Sequence, residues 1–319
     1  MENLTINPHL FFYDSTKFCV VGDVHGSIQE FKTMLTDNKG ISIDKKTNKF
    51  IITDSSKYMK HILVGDYIDK GDYRNIKQTI ELIYNNLEHF IVCIGNHEYW
   101  VAEYLLGKIK PSNGNTAIIG QWFQTVVLLL HDVELREKFF AIYKKSFHSI
   151  ETPIAIITHA PTAKQYLNKS DGVSLKFQRN LQLTKFSDED KIELEIKLYE
   201  RDKFFTFLKE EASHEDKYHL FGHTEIPEVF KYKNKICLDT GCISGGSLSV
   251  AIFNDDKLEF KSYKSIRKES KTFFTYFSEK VANRTENLIC ENCGAGNSKV
   301  YKDYELVKGN FCKTCKEII

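Results

Sequence analysis

Short apolar runs recur along the chain, and each ends at a glycine or a polar donor. Phe18 to Val21 (FCVV) stops at Gly22-Asp23, His61 to Val64 (HILV) at Gly65-Asp66, and Phe90 to Ile94 (FIVCI) at Gly95-Asn96. Ile154 to Thr158 (IAIIT) runs into His159, and His219 to Phe221 (HLF) into Gly222-His223. Runs this short, rich in β-branched and aromatic residues and closed by turn residues, predict buried strands. The five loop tips are expected to meet at one edge of a sheet. Between the strands, Ile80, Ile83, Tyr84, Leu87 and Phe90 keep the spacing of an amphipathic helix, and Tyr99 to Ile109 and Lys203 to Ala212 also read as helices. Asp37 to Lys60, rich in Lys, Asp, Ser and Thr, reads as a β-hairpin or loop insertion, and Ile236 to Phe260 returns to short strands with Gly and Asp turns. This mixture predicts an α/β fold in which helices cover sheets.

A chain of 319 residues has room for one large domain and a small module, since domains commonly hold about 100 to 200 residues. Its 44 Lys and Arg balance 43 Asp and Glu, so no global field draws in nucleic acid or an anionic membrane, and an anionic substrate must be held locally. A composition 42% hydrophobic and 13% aromatic excludes a disordered chain. Met1 to Asp14 lacks the basic start, apolar core and cleavage site of a secretory signal, and no apolar run approaches the roughly 20 residues that cross a bilayer. A soluble, cytoplasmic protein without membrane partners is expected. Lys257 to Arg284 carries eight Lys or Arg against three Glu; it reads as a solvated connecting segment, with docking of an acidic partner as the sharper alternative.

The loop tips read Gly22-Asp23-Val24-His25-Gly26, Gly65-Asp66-Tyr67-Ile68-Asp69-Lys70-Gly71, Gly95-Asn96-His97-Glu98, His159-Ala160 and Gly222-His223-Thr224. Taken singly, each is a turn or a helix cap. In series, they offer carboxylate, imidazole and amide oxygen donors, the set that two neighbouring divalent cations need, with at least one carboxylate to bridge them. Asp23, His25, Asp66, Asn96, His159 and His223 supply it.

These motifs resemble those of the calcineurin-like metallophosphoesterase superfamily, and more narrowly its phosphoprotein phosphatase branch. The order GDxHG, GDxxDRG, GNHE, His-Ala or His-Gly and a late GH is matched over roughly residues 18 to 250, and Leu238 to Leu248 (LDTGCISGGSL) is similar to bacterial members that include symmetric diadenosine tetraphosphatases and bacteriophage-type protein phosphatases. The last element reads as a structural marker. The resemblance implies a four-layer αββα sandwich with the metals at the carboxyl ends of the central strands. It implies that Asp23, His25 and a bridging Asp66 hold one ion, that Asp66, Asn96, His159 and His223 hold the other, and that water is the nucleophile. It further implies that His97 faces the leaving-group oxygen as general acid, oriented by Asp69. Mn²⁺ is the expected metal, with Fe or Zn²⁺ as alternatives.

One position departs from the pattern. Lys70 stands where the family has an arginine that grips phosphoryl oxygens, which keeps the charge and loses the planar fork. Arg74 is near enough in sequence to compensate, Arg179 is similar to the family's second arginine, and Asn96 joins these as a phosphate contact. The arginine that usually precedes GNHE is also absent, replaced by Cys93-Ile94.

Four of the eight cysteines, Cys19, Cys93, Cys237 and Cys242, lie among apolar residues as buried thiols do. The other four form Cys290-x-x-Cys293 and Cys312-x-x-Cys315, separated by 18 residues, the spacing of a closed four-cysteine zinc site. The 34 residues from Glu286 to Ile319 are too few to fold on an apolar core, so a structural Zn²⁺ would supply their folding free energy. The expected organisation is a metallophosphoesterase domain over 1–265, a linker over 266–285 and a zinc ribbon over 286–319. With five Lys against five acidic residues, the ribbon reads as a protein-docking or lid element, with nucleic-acid binding as the alternative. For the large domain, the expectation is a Ser/Thr protein phosphatase-like phosphomonoesterase acting on a phosphoprotein. A dinucleoside-polyphosphate or nucleotide hydrolase is the second reading, and a non-catalytic binding protein of the same fold is a third.

Overall fold

The computed structural model describes residues 9–37, 40–108, 125–180 and 217–267, together with the backbone of three strands in the tail. The run from Lys17–Val21 (β2) alternates its side chains between two cores. Phe18 and Val20 face one, and Cys19 and Val21 face the other, as period-two geometry requires. β2 pairs in parallel with Lys60–Leu63 (β5), which pairs in parallel with Phe90–Val92 (β6). On its other side β2 meets Ser247–Asn254 (β12), which forms an antiparallel hairpin with the edge strand Lys257–Lys264 (β13). The resulting five-stranded sheet has the order β13-β12-β2-β5-β6.

A second sheet of six strands faces it. Leu10–Phe12 (β1), Ser149–Glu151 (β7), Ala155–Thr158 (β8), Tyr218–Phe221 (β9), Lys235–Cys237 (β11) and Phe230–Tyr232 (β10) lie in that order. The core between the sheets joins Phe18, Val20, Ile62 and Phe253 of the first to Ile157, Leu220 and Ile236 of the second. Each such side chain contributes about 1.5–3 kcal/mol by leaving water. The five apolar runs are thus strands, as expected, but they are divided between two facing sheets and do not share one edge.

The other face of the five-stranded sheet is covered by helices Ile28–Asp37 (α1), Tyr73–Asn85 (α2), Asn96–Leu105 (α3) and Val133–Lys144 (α4), through Phe31, Leu35, Ile76, Ile80, Ile83, Val101, Phe139 and Ile142. A fifth helix, Gly172–Arg179 (α5), starts at Asp171, whose carboxylate accepts from the N–H groups of Val173 and Ser174. The chain is a mixed α/β sandwich. The helix expected over Lys203 to Ala212 lies outside the described residues, as does Ile109.

Two helices differ in extent from the sequence reading, and the one expected over Tyr99 to Ile109 runs from Asn96 to Leu105. The helix expected through Phe90 ends at Asn85, because Asn86 turns its side chain to the insertion: Oδ1 accepts from Phe50 N–H at 2.6 Å, and Nδ2 donates to the carbonyls of Asn48 and Leu82, both at 2.7 Å. Leu87–His89 then form a single 3-10 turn and Phe90 opens β6. The insertion itself is a hairpin of Ile41–Ile43 (β3) and Phe50–Ile52 (β4). In the tail, Thr285–Leu288 (β14), Ser298–Tyr304 (β15) and Gly309–Cys312 (β16) form a three-stranded antiparallel sheet. Among the described residues, no helix is long and apolar enough to cross a membrane.

Folding also buries an uncharged imidazole in the helix-side layer. His61 on β5 is 1% exposed, and burial, helped by His89, pushes its pKa down to about 4. An unfolded imidazole titrates near 6.5. Between these values the unfolded chain binds the extra proton, so the stability tied to a neutral His61 is fully present above about 6.5 and is lost as pH falls toward 4. Between pH 7 and pH 5 the wild type should therefore lose about 2 kcal/mol more unfolding free energy than His61→Leu. Urea unfolding at the two pH values reads the difference, and parallel losses in both proteins would remove His61 from the acid response.

Candidate metal centre

Each of the five strands β2, β5, β6, β8 and β9 delivers a polar residue just past its carboxyl end. β2 leads to Asp23 and His25, β5 to Asp66, β6 to Asn96 at the start of α3, β8 to His159 and β9 to His223. The loops pack so closely that only glycine fits between them. A Cβ on Gly95 would lie 2.1 Å from Asp66 Oδ1, and one on Gly222 would lie 1.8 Å from Asp23 Oδ1. Three of the donors hold left-handed backbone: His25 at φ 42°, Asp66 at φ 50° and His223 at φ 69°. That conformation costs roughly 1–2 kcal/mol per non-glycine residue and persists only where the surroundings over-determine it.

Glu98 supplies much of that constraint. The residue is 1% exposed, and its carboxylate accepts four backbone N–H bonds. Oε2 takes those of Asp66 at 2.8 Å and Gly95 at 3.0 Å, and Oε1 takes those of Tyr67 at 2.9 Å and Ile68 at 3.3 Å. One side chain thus ties the loop carrying Asp66 to the loop carrying Asn96. Sequence reasoning gave this residue no role, since an acidic residue in the first turn of a helix reads as a dipole partner. Glu98→Gln turns an N–H₂ toward two of these donors and is expected to cost about 2–4 kcal/mol of stability. It should also weaken Mn²⁺ binding about 10- to 100-fold, as loss of an outer support does. Urea unfolding and calorimetric Mn²⁺ titration check both, and a change under about 0.5 kcal/mol would show that the clamp contributes little.

The donor atoms converge in two groups. Those of His25, Asp66 and His97 lie within 4.8 Å of one another, and so do those of Asp66, His159 and His223. Asp66 belongs to both: Oδ2 is 3.5 Å from His25 Nε2, and Oδ1 is 3.4 Å from His159 Nε2. His25 Nδ1 is engaged by the Ile68 carbonyl at 2.8 Å and His159 Nδ1 by the Val64 carbonyl at 3.0 Å. A carbonyl only accepts, so both rings carry a proton on Nδ1 and aim Nε2 inward. In the second group, Asn96 Oδ1 is 2.9 Å from both His159 Nε2 and His223 Nδ1, which are 3.2 Å from each other. Two donors at right angles on an ion with bonds of about 2.1 Å lie about 3 Å apart. Lone pairs facing one another at that spacing fit a shared cation, so the residues present would suit divalent cations, with Asp66 facing both donor groups.

Charge follows the same logic. Burial alone would raise Asp66, but His159, His97 and His25 around it hold its carboxyl well below the usual range. Burial pushes the pKa of His223 down to about 3, and burial together with the Lys70 ammonium holds His25 well below the ordinary imidazole value. An ionised bridge and neutral imidazoles are the forms that ligate metal. Asp23 turns toward the β9 loop, where its two oxygens accept from His223 N–H at 3.1 and 3.3 Å. Burial, then Asp239, then Asp66 push it well above the carboxylate range. Asp239 is a residue the sequence reading passed over as part of a structural element. It is 7% exposed, and its pKa is raised to about 6 by burial and by Glu225. It follows β11 just as the other donors follow their strands, a signal that was available in the sequence.

His97 and Asp69 are brought together, with His97 Nδ1 2.8 Å from Asp69 Oδ2 and His97 Nε2 3.8 Å from Asp66 Oδ2. The second oxygen of Asp69 is buried near the Thr125 hydroxyl, outside good hydrogen-bond geometry. Lys70 reaches the centre: its Nζ lies 3.0 Å from His25 Nε2. Arg74 is exposed in the first turn of α2. Arg179 ends α5 with its guanidinium 3.6 Å above the Tyr99 ring, one helical turn beyond Asn96, and its Nη1 donates to the Leu175 carbonyl at 3.0 Å. Cys290, Cys293 and Cys315 lie outside the described residues, and Cys312 is the last residue of β16.

Residues 16–258 match the calcineurin-like phosphoesterase family. The chain is similar to the asymmetrical bis(5'-nucleosyl)-tetraphosphatase PrpE of Bacillus cereus, with 23% identity over 239 residues, 73% of this chain and 89% of that protein. PrpE of Anoxybacillus flavithermus is 24% identical over 238 residues, 72% of this chain and 87% of its own length. A solved Saccharomyces cerevisiae protein serine/threonine phosphatase with similarity to human phosphatase PP5 aligns with a TM-score of 0.40 and 13% identity, over 82% of this chain and 84% of that one. The matched span runs from just before β2 into β13 and contains every donor described above, so the chain belongs to the calcineurin-like phosphoesterases and is a metal-dependent phosphoric ester hydrolase.

Proposed function

We propose that this enzyme hydrolyses phosphate monoesters in the manner of Ser/Thr protein phosphatases, with a phosphoprotein as substrate. The observation that carries the reading is the 2.8 Å contact between Asp69 and His97 beside the bridging Asp66. A monoester of serine or threonine leaves as a poorly stabilised alkoxide, which needs a proton as the P–O bond breaks. His97, held by Asp69 through Nδ1, presents Nε2 for that transfer. Asp23, His25 and Asp66 would hold one divalent ion, and Asp66, Asn96, His159 and His223 the other, with Mn²⁺ the favoured metal and Fe or Zn²⁺ the alternatives. When bound, such ions supply Lewis acidity and a water whose pKa falls to about 7. Lys70 and Asn96 would orient the phosphoryl oxygens, with Arg179 and Arg74 as further anion contacts.

A second reading, a dinucleoside-polyphosphate hydrolase, draws support from the curated relatives, which carry that activity in their names. The two readings share the metal ligands and differ in the leaving group, because a nucleotide leaves without needing a proton. Turnover of phosphoserine peptide, diadenosine tetraphosphate and 5'-phosphorylated RNA, compared side by side with added Mn²⁺, separates them. The first reading expects kcat/KM on the peptide to exceed that on the dinucleotide, and the reverse order establishes the second.

The domain boundaries at 265 and 285, a cytoplasmic location and the ribbon belong to the same proposal. Cys290, Cys293, Cys312 and Cys315 would close one structural Zn²⁺, and the ribbon over 286–319 would dock a protein partner.

A further inference from the structure

His25 has a single nitrogen to give to a cation. Its Nδ1 is fixed by the Ile68 carbonyl, and the inward Nε2 has the Lys70 ammonium 3.0 Å away. The same ammonium acts electrostatically on Asp23, Asp239 and His223 as well as on His25. Lys70 and Asp69 before it both hold left-handed backbone, at φ 56° and φ 64°, and the ammonium sits against the inward nitrogen of His25. An ion bonded to Nε2 at about 2.1 Å would overlap the space the ammonium occupies, and the two positive charges would repel. A guanidinium, broad and planar, fills such a slot poorly, whereas an ammonium is a compact point charge on a flexible stem.

We propose that Lys70 is a built-in competitor for the cation position at His25, so that an arriving metal ion must first displace its ammonium. This rests on the proposed metal-centre reading and goes beyond the role of Lys70 as a phosphate contact. An ammonium that holds the position nine times in ten lowers the apparent metal affinity about tenfold. Lys70 is an exposed residue, so neutral replacements leave the core intact.

The test is calorimetric titration of Mn²⁺ into metal-stripped full-length protein, wild type against Lys70→Gln and Lys70→Met. Mn²⁺ is the probe because the thiolates of the tail prefer softer ions. Both variants are expected to tighten the weaker Mn²⁺ event about tenfold. Unchanged or weaker Mn²⁺ binding in both variants overturns the competition. Inhibition by inorganic phosphate reports the other role separately. Undiminished inhibition of Lys70→Gln would remove Lys70 as a phosphate ligand, while tightened Mn²⁺ binding in the same protein would still support the competition.

Discussion

Asp66→Asn should lower turnover at least about 1000-fold, the scale of removing a charge that the transition state depends on, with little loss of fold. Asp66 is 2% exposed, and its two oxygens face two different donor groups, Oδ2 toward His25 and Oδ1 toward His159. An asparagine of the same shape keeps one carbonyl oxygen and turns an N–H₂ toward whichever group lost its oxygen. It therefore serves one cation and repels the other. The formal charge also falls by one at the point where two dications would stand about 3.5–4 Å apart. The folding cost is limited because an asparagine keeps the shape, and the Glu98 bonds that fix the loop go to the backbone of Asp66, Tyr67 and Ile68. Metal content measured alongside kcat distinguishes the outcomes: the variant should bind at most one Mn²⁺ tightly and keep its far-ultraviolet dichroism. A variant that holds two ions and retains a tenth of the wild-type kcat would show that Asp66 does not bridge.

The strand-and-donor rhythm was legible in the sequence because a buried strand and its terminal ligand are neighbours in the chain. FCVV-Gly-Asp and HILV-Gly-Asp state both facts within six residues. Two sheets follow from the resemblance of the loop motifs, but which sheet receives each run is not legible in the runs themselves. An apolar run reads the same whichever sheet receives it, and the pairing of β8 with β9 joins residues about sixty positions apart. Left-handed backbone at His25, Asp66 and His223 was hidden for a different reason: nothing in the residue types announces it, and it exists only because the surrounding loops impose it. Glu98 shows the same limit from the other side. Its four acceptor bonds are to backbone N–H groups, three of them some thirty residues away, and backbone groups leave no mark on the sequence. The helix that stops at Asn85 was misjudged through a side chain, Asn86, whose partners in the hairpin lie far back in the chain.

His97→Ala is expected to lower kcat about 100- to 10,000-fold on phosphoserine peptide and only a few-fold on p-nitrophenyl phosphate, the range a positioned general acid supplies. The imidazole is 5% exposed. Its Nδ1 is committed to Asp69, and its backbone N–H donates to Asp66 Oδ1 at 3.1 Å. That leaves Nε2 as the ring nitrogen that can face a leaving oxygen. Nitrophenolate departs as a stable anion and gains little from the proton, whereas a serine alkoxide cannot leave without one, so the variant should separate the two substrates. Nε2 also lies 3.8 Å from Asp66 Oδ2, close enough for His97 to act as a metal ligand beside His25. The two roles make different predictions. Loss of a ligand weakens Mn²⁺ binding and slows both esters alike, and loss of a proton donor leaves Mn²⁺ binding in place and slows the alkoxide ester alone. Asp69→Asn should reproduce the substrate dependence in milder form, since the ring stays in place and loses only the carboxylate that orients it. Equal losses on both esters together with weakened Mn²⁺ binding would reassign His97 from acid to ligand.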